Sequence, residues 1–261
     1  MTERPSHERV NILGVGVSAL NMPMAIDHLI DWIEHRDRHF VIISNVHVVM
    51  EAHKDATFRK AINRAGMITP DGMPLVFLSR WMGHKHVDRV YGPDLMLAAS
   101  QAMAEQGYSH FYYGGAEGVP EQLARNMAEK FPGLKIAGTY SPPFRALTPE
   151  EDDAIVDRIN EANPDIVWVG LGCPKQEKWM VEHRDRLNAP ALIGVGAAFN
   201  FHTGTVPQAP LWMQRSALEW VYRLKAEPRR LWKRYLIYNP LFMLYVGLQF
   251  LGIRRVPVET A

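Results

Sequence analysis

The feature that most constrains this chain is a repeated alternation between short apolar, β-branched runs and longer stretches with helical spacing. The apolar runs fall at residues 10–17, 40–44, 109–113, 165–170 and 191–195, with a shorter one at 67–69. The five longer runs read as strands buried on both faces, which is the signature of a parallel sheet covered by helices. Between them, residues 24–35, 52–65, 93–105, 119–131, 149–162 and 175–187 carry the 3.6-residue period of amphipathic helices. Strand and helix in alternation predict an α/β fold, a doubly wound, Rossmann-like and mostly parallel sheet. In such sheets ligands sit outside the carboxyl ends of the strands, so the loops after each strand carry the functional expectations.

From about residue 210 the pattern changes. Segments 211–225 and 228–252 are helical in spacing, rich in Trp, Tyr, Leu and Arg, and carry no further strand signal. The chain of 261 residues, 47% hydrophobic, is long enough for one sizeable core. The expected organisation is a catalytic core over residues 1–209 and a helical, basic and aromatic C-terminal appendage over 210–261. The formal net charge of +1 offers no global field for nucleic acid. A single cysteine, Cys173, excludes an intrachain disulfide and a thiolate metal cluster and fits a reducing compartment, the cytoplasm. Residues 1–9 are polar and lack the apolar run of a secretory signal.

Four loops carry candidate chemistry. After the second run, Ser44-Asn45-Val46-His47 offers hydroxyl and amide groups, or simply a helix N-cap. His47 reads as a helix-surface or packing residue. Thr69-Pro70-Asp71-Gly72 places a carboxylate in a tight turn ahead of a helix, as a turn or cap acid or as a general base. Tyr113-Gly114-Gly115-Ala116-Glu117-Gly118 is a glycine-rich strand-to-helix turn whose backbone N–H groups can approach a diphosphate. Gly170-Leu171-Gly172-Cys173-Pro174-Lys175-Gln176-Glu177 repeats that design, with Gln176 able to hold sugar or phosphate oxygens or to cap the helix with Glu177. No GxGxxG dinucleotide fingerprint and no GxxxxGK[ST] loop occurs, which disfavours an NAD-dependent oxidoreductase and a P-loop kinase. The sequence also lacks HExxH, CxxC and Asp-x-Asp, so a metal-independent reaction without a resident cofactor is the simpler expectation.

The tail carries the sharpest physical signal. Arg223, Lys225, Arg229, Arg230, Lys233 and Arg234 precede an uncharged stretch, 235–253, closed by Arg254 and Arg255. Cations beside apolar aromatics suit anionic lipid headgroups. The stretch approaches the ~20 residues of a spanning helix. Asn239-Pro240, Gly247 and Gln249 favour an element lying in the interface instead, and a core or dimer-interface helix is the alternative. The Arg side chains also suit a polyprenyl-linked diphosphate. An exposed apolar tail is in addition a surface for self-association into a homo-oligomer.

In order along the chain, Asn45, the Pro-Asp-Gly turn at Asp71, Arg89-Val90-Tyr91-Gly92-Pro93-Asp94, the Gly-x-Pro-x-Gln-Glu ending at Glu177, Leu218-Glu219-Trp220 with Arg223, and Glu227-Pro228-Arg229 resemble the WecG/TagA/CpsF glycosyltransferase family. The resemblance implies an inverting enzyme that moves a sugar from a UDP-sugar, often N-acetylmannosamine, onto an undecaprenyl-diphosphate-linked saccharide. The setting it implies is bacterial surface-polymer assembly, peripherally at the cytoplasmic face of the cell membrane. It implies Asp71 as general base, Asn45, Arg89 and Gln176 in the active site, and Arg223, Arg230 and Lys233 on the acceptor diphosphate. Gly114, Gly115 and Glu177 join the expected substrate-binding set. Ile43, Asn200 and Gln208 depart from the common pattern, where Thr, Asp and Arg are frequent. Residues 138–144, Gly-Thr-Tyr-Ser-Pro-Pro-Phe, look like an exopolysaccharide branch in which glucose or a uronic acid replaces the mannosamine. The rival reading is a non-catalytic, membrane-associated module that binds a nucleotide sugar.

Overall fold

Among the described residues eight strands form: β1 Arg9–Ile12, β2 Val15–Ser18, β3 His39–Ser44, β4 Met67–Pro70, β5 Ser109–Gly114, β6 Lys135–Tyr140, β7 Ile166–Gly170 and β8 Ala191–Gly194. They are taken from a computed structural model that describes residues 4–254 and 256–259, the side chain of Arg230 excepted. The chain divides into two compact units. One comprises Met22–Ile43 and Gly92–Val206 with the N-terminal residues 4–6, and the other His7–Asn21, Ser44–Tyr91 and the segment from Pro207 onward.

In the first unit five strands pair in the order β3-β8-β7-β5-β6, parallel in every pair. Its strands β7 and β8 and most of β3 and β5 are buried along their length, as expected for a sheet covered by helices on both faces. The α/β class and the parallel sheet thus follow from the apolar runs. The helix after β5 leads outward to β6, whereas the helix after β7 leads toward β8, so the winding reverses between β5 and β7. Gly114 and Gly170 are partners in register at the carboxyl ends of those two strands. Strand β6 was not anticipated from its sequence. It is an edge strand that is only half buried, and its apolar signal is interrupted by Gly138. A Cβ at Gly138 would lie 2.6 Å from the ring of Phe111, so the strand gives up a side chain to fit its neighbour.

The second unit corrects one expectation. Residues 10–17 are not a buried parallel strand; β1 and β2 pair antiparallel as a hairpin, Val10 opposite Val17 and Ile12 opposite Val15. The reversal occurs because Leu13 and Gly14 both take positive φ, 53° and 86°, the geometry of a two-residue hairpin turn. Side-chain amides fix this hairpin. Asn63 donates to Gly14 O at 2.8 Å and accepts from Gly16 N at 3.0 Å. Gln249 accepts from Leu13 N and donates to Asn11 O, both at 2.8 Å.

Residues 52–65, expected as one helix, lie in two, Val46–Lys54 and Ala56–Asn63, broken at Asp55, whose side chain caps the second through Phe58 N. The C-terminal segment is helical, as expected, but segmented. Leu211–Arg215 and Glu219–Ala226 are separated at Ala217, which has φ 59°. Pro228–Trp232 runs into a π-helical turn, Lys233–Ile237, and then the helix Tyr238–Phe250. Pro240 falls in the first turn of that helix, where no N–H donor is required. Thirteen residues rise about 20 Å, and among the described residues no helix is long and apolar enough to cross a membrane. The last helix instead docks on Val46–Lys54. Tyr238 donates to Glu51 at 2.8 Å, Tyr245 packs on His53 with ring centroids 4.8 Å apart, and Phe242 and Val246 are buried.

Candidate active site

Within the second unit a cavity of about 300 Å³ is lined by Asn45, His47, Asp71, Arg89, Glu219 and Arg223, with Arg234 and Tyr235 among its other walls. Asn45 is the N-cap of Val46–Lys54, its Oδ1 accepting from His47 N at 3.0 Å and Val48 N at 3.4 Å. Its amide nitrogen donates to Asp71 Oδ2 at 3.2 Å. The same side chain thus caps a helix and holds Asp71 at the cavity wall.

Asp71 is held by its backbone, which donates from N to Ser44 O at 2.9 Å and to Thr69 O at 3.1 Å. It is not a helix cap. That position belongs to Gly72, which opens Met73–Trp81 without a side-chain cap, and a Cβ at Gly72 would come within 3.3 Å of Asn45 Cβ. The Asp71 carboxylate is buried, and Oδ1 has no hydrogen-bond donor among the described residues. Burial pushes its pKa above the ordinary carboxylate range, against the pull of Arg89; the charge of Glu219 adds to the rise.

Arg89 is gripped on three sides. Its Nε donates to Asp71 O at 2.6 Å, its Nη2 to Glu219 Oε2 at 2.6 Å, and its guanidinium lies 4.0 Å over the ring of Tyr91. The same Nη2 stands 3.8 Å from Asp71 Oδ1. Tyr91 donates to Glu219 Oε1 at 3.2 Å. Burial lowers the Arg89 pKa and the two carboxylates more than restore it, so Arg89 is a permanent cation. Arg234 Nη2 donates to Asn45 Oδ1 at 3.3 Å. His47 stacks on Tyr238, and burial, with Arg234 beside it, lowers its pKa to about 3. It is neutral at physiological pH.

Of the basic residues expected to meet a diphosphate, Arg223 lines the cavity. Lys233 lies against the ring of Trp232, Nζ 5.5 Å from its centroid, and is not among the lining residues. Arg230 sits in Pro228–Trp232, and its side chain is outside the described residues. Arg234, part of the basic cluster but given no role, takes a place in the wall. A π-helical turn begins at Lys233, so ordinary helical spacing does not carry through this segment. Glu219 and Tyr91 were visible only as motif letters, because Glu219 meets Arg89 and Tyr91 through contacts across more than a hundred residues.

Gly114, Gly115, Gln176 and Glu177 belong to the first unit. Gly114 has φ 122°, and a Cβ there would fall 2.7 Å from the Gly170 backbone; Gly115 N donates to Gly170 O at 3.0 Å. These glycines let β5 and β7 close on each other where the winding reverses. Gln176 is buried, accepts from Gly172 N at 3.1 Å and donates to Glu177 at 3.0 Å. It braces the glycine turn from below. Among the described residues no three His, Cys, Asp or Glu side chains gather at metal-binding spacing.

The chain is similar to several proteins of known activity. The chain is 31% identical over 224 residues to the N-acetylglucosaminyldiphosphoundecaprenol N-acetyl-beta-D-mannosaminyltransferase of Bacillus subtilis strain 168, covering 83% of this chain and 85% of that one. It is 30% identical to the enzyme of that name from Bacillus spizizenii, covering 76% and 74%. With the one from Staphylococcus aureus strain NCTC 8325 it shares 25% over 94% of both. The model of the glycosyl transferase WecG/TagA/CpsF family matches residues 10–256, and the chain is therefore a glycosyltransferase of the WecG/TagA/CpsF family.

Proposed function

We propose that this enzyme transfers a sugar, with inversion, from a UDP-sugar to a saccharide carried on a polyprenyl diphosphate, with Asp71 as general base. The observation that carries the reading is the buried Asp71 carboxylate, one oxygen without a donor, in a cavity that also holds Arg89, Arg223 and Arg234. A carboxylate with a raised pKa is a better proton acceptor near neutral pH. Against Asp71 and Glu219 the cavity sets three guanidinium groups, a surplus of cation suited to a diphosphate.

In the proposed step the acceptor hydroxyl oxygen attacks the anomeric carbon and its proton passes to Asp71. The new carbon–oxygen bond forms as the bond to the β-phosphate breaks, and UDP leaves with the electron pair. Asn45 and Arg89 hold the base in place. Arg223, with Arg230 and Lys233, is assigned to the acceptor diphosphate. Gly114, Gly115, Gln176 and Glu177 are kept as proposed substrate-binding residues of the first unit, supported by their place where the winding reverses. The mannosaminyltransferase names of the relatives favour UDP-N-acetylmannosamine and an N-acetylglucosamine-bearing acceptor. Residues 138–144 favour an exopolysaccharide branch with another hexose. The exposed apolar and basic C-terminal segment favours work on an anionic membrane surface, at the cytoplasmic face, and allows self-association.

The test is a panel of UDP-sugars with a polyprenyl-diphosphate N-acetylglucosamine acceptor. Asp71→Asn is expected to lower turnover at least a thousandfold while leaving UDP binding within about threefold. Retained turnover removes Asp71 as base, and UDP binding without transfer to any acceptor makes the protein a nucleotide-sugar-binding module.

A further inference from the structure

Resting on that reading of Asp71, we infer that Glu219 is a positioning residue: its carboxylate keeps the Arg89 guanidinium from hydrogen-bonding the Asp71 carboxylate and thereby keeps that carboxylate free to accept a proton. Glu219 opens the helix Glu219–Ala226 of the C-terminal segment. Both its oxygens are engaged, one by Arg89 Nη2 at 2.6 Å and the other by Tyr91 at 3.2 Å. The Nη2 that it holds is also the atom 3.8 Å from Asp71 Oδ1. A movement of about 1 Å would turn that separation into a direct charge-assisted hydrogen bond.

The side chains of Arg89, Asp71 and Glu219 are all largely shielded from solvent, so their mutual charges are weakly screened. The groups facing Asp71 are Asn45 from the loop before Val46–Lys54, Arg89 with Tyr91 beside it, and Glu219 and Arg223 from the C-terminal segment. Arg234 and neutral His47 complete the wall. Among these, Glu219 is the one anion opposing the pull of the arginines. With its charge removed, Asp71 loses a repelling neighbour and Arg89 loses the carboxylate that competes for it. Both changes favour ionised Asp71, lower its proton affinity and tie Oδ1 to Arg89, where the acceptor hydroxyl must displace it.

The experiment titrates Asp71 directly in the full-length protein, by the carboxyl resonance of ¹³C-labelled aspartate assigned with Asp71→Asn. Glu219→Gln is expected to move the Asp71 midpoint down by about one pH unit or more, and to lower turnover with it. Glu219→Asp, which keeps the charge, is expected to retain most of the native midpoint. In an Arg89→Gln background the Glu219→Gln shift should shrink, since the cation it restrains is gone. An unchanged or raised midpoint in folded Glu219→Gln overturns the inference, because a merely structural residue would lower the melting temperature without moving that titration. Should Glu219→Gln fail to fold, the Glu219→Asp and Arg89→Gln midpoints decide. Retained transfer by Asp71→Asn would instead overturn the underlying reading, whatever the titrations give.

Discussion

Asn45 caps a helix with its oxygen and holds Asp71 with its nitrogen, so its two contributions are separable. Asn45→Ser retains a capping oxygen but is too short to serve both partners. It is expected to keep stability within about 0.5 kcal/mol while lowering turnover about tenfold or more; thermal unfolding and single-turnover rates check the pair. Asn45→Ala should lose about 1 kcal/mol in addition. For Asp71, the burial-raised pKa has a definite consequence. In the proposed role of base Asp71 must be ionised, so kcat/KM should fall as pH drops through a value above the ordinary carboxylate range of about 4. His47, at about 3, cannot account for such a limb. A limb at the ordinary carboxylate value would count against Asp71. The residues legible in sequence were those whose loop chemistry is local: Asn45 before a helix, Asp71 in a Pro-Asp-Gly turn. Gln176 was legible as polar and well placed, yet its bracing of Gly172 is a fact of side-chain direction that spacing does not encode.

At the scale of elements, the parallel strands were legible because burial on both faces leaves uninterrupted apolar runs. The hairpin was misread for the same reason: Val10 to Val17 is apolar apart from Asn11, and the positive φ of Leu13 and Gly14 turns it back. The C-terminal helices were recognised as helical, but the breaks at Ala217 and the π turn at Lys233 arise from tertiary fit. One element adds to the proposed membrane surface. The helix Met73–Trp81 exposes Phe77 and Trp81, and Trp81 meets Phe250 of the last helix edge-on at 4.3 Å, next to exposed Leu251 and Ile253. Arg80 and Arg254 flank these side chains in the chain. If this surface lies in a bilayer interface, Trp81→Ser with Phe250→Ser should reduce binding to anionic phosphatidylglycerol vesicles about tenfold or more, without altering UDP binding. Sedimentation with those vesicles is the measurement, and undiminished binding would assign the aromatic pair to packing alone.

For the molecule as a whole, the C-terminal segment is more than an attachment: it belongs to the same compact unit as Asn45, Asp71 and Arg89. It supplies Glu219, Arg223, Arg234, Tyr235, Asn239 and Phe242 to the cavity wall. Two functions are therefore proposed for it, lipid contact and completion of the site, and removing it tests which one activity depends on. Truncation before Trp232 deletes Arg234, Tyr235 and Phe242, two of them buried aromatics, and opens the cavity to solvent. A more soluble protein is expected, with more than a hundredfold loss of transfer to a long-chain polyprenyl acceptor. The decisive comparison is a short-chain, water-soluble acceptor carrying the same diphosphate and sugar. Were the segment only an anchor, a truncated enzyme would act on that acceptor as well as the full chain does, because no bilayer need be reached. Since the segment also walls the cavity, the loss should persist with the soluble acceptor in single-turnover assays at saturating donor, while UDP binding by the truncated protein stays within about threefold of the full chain.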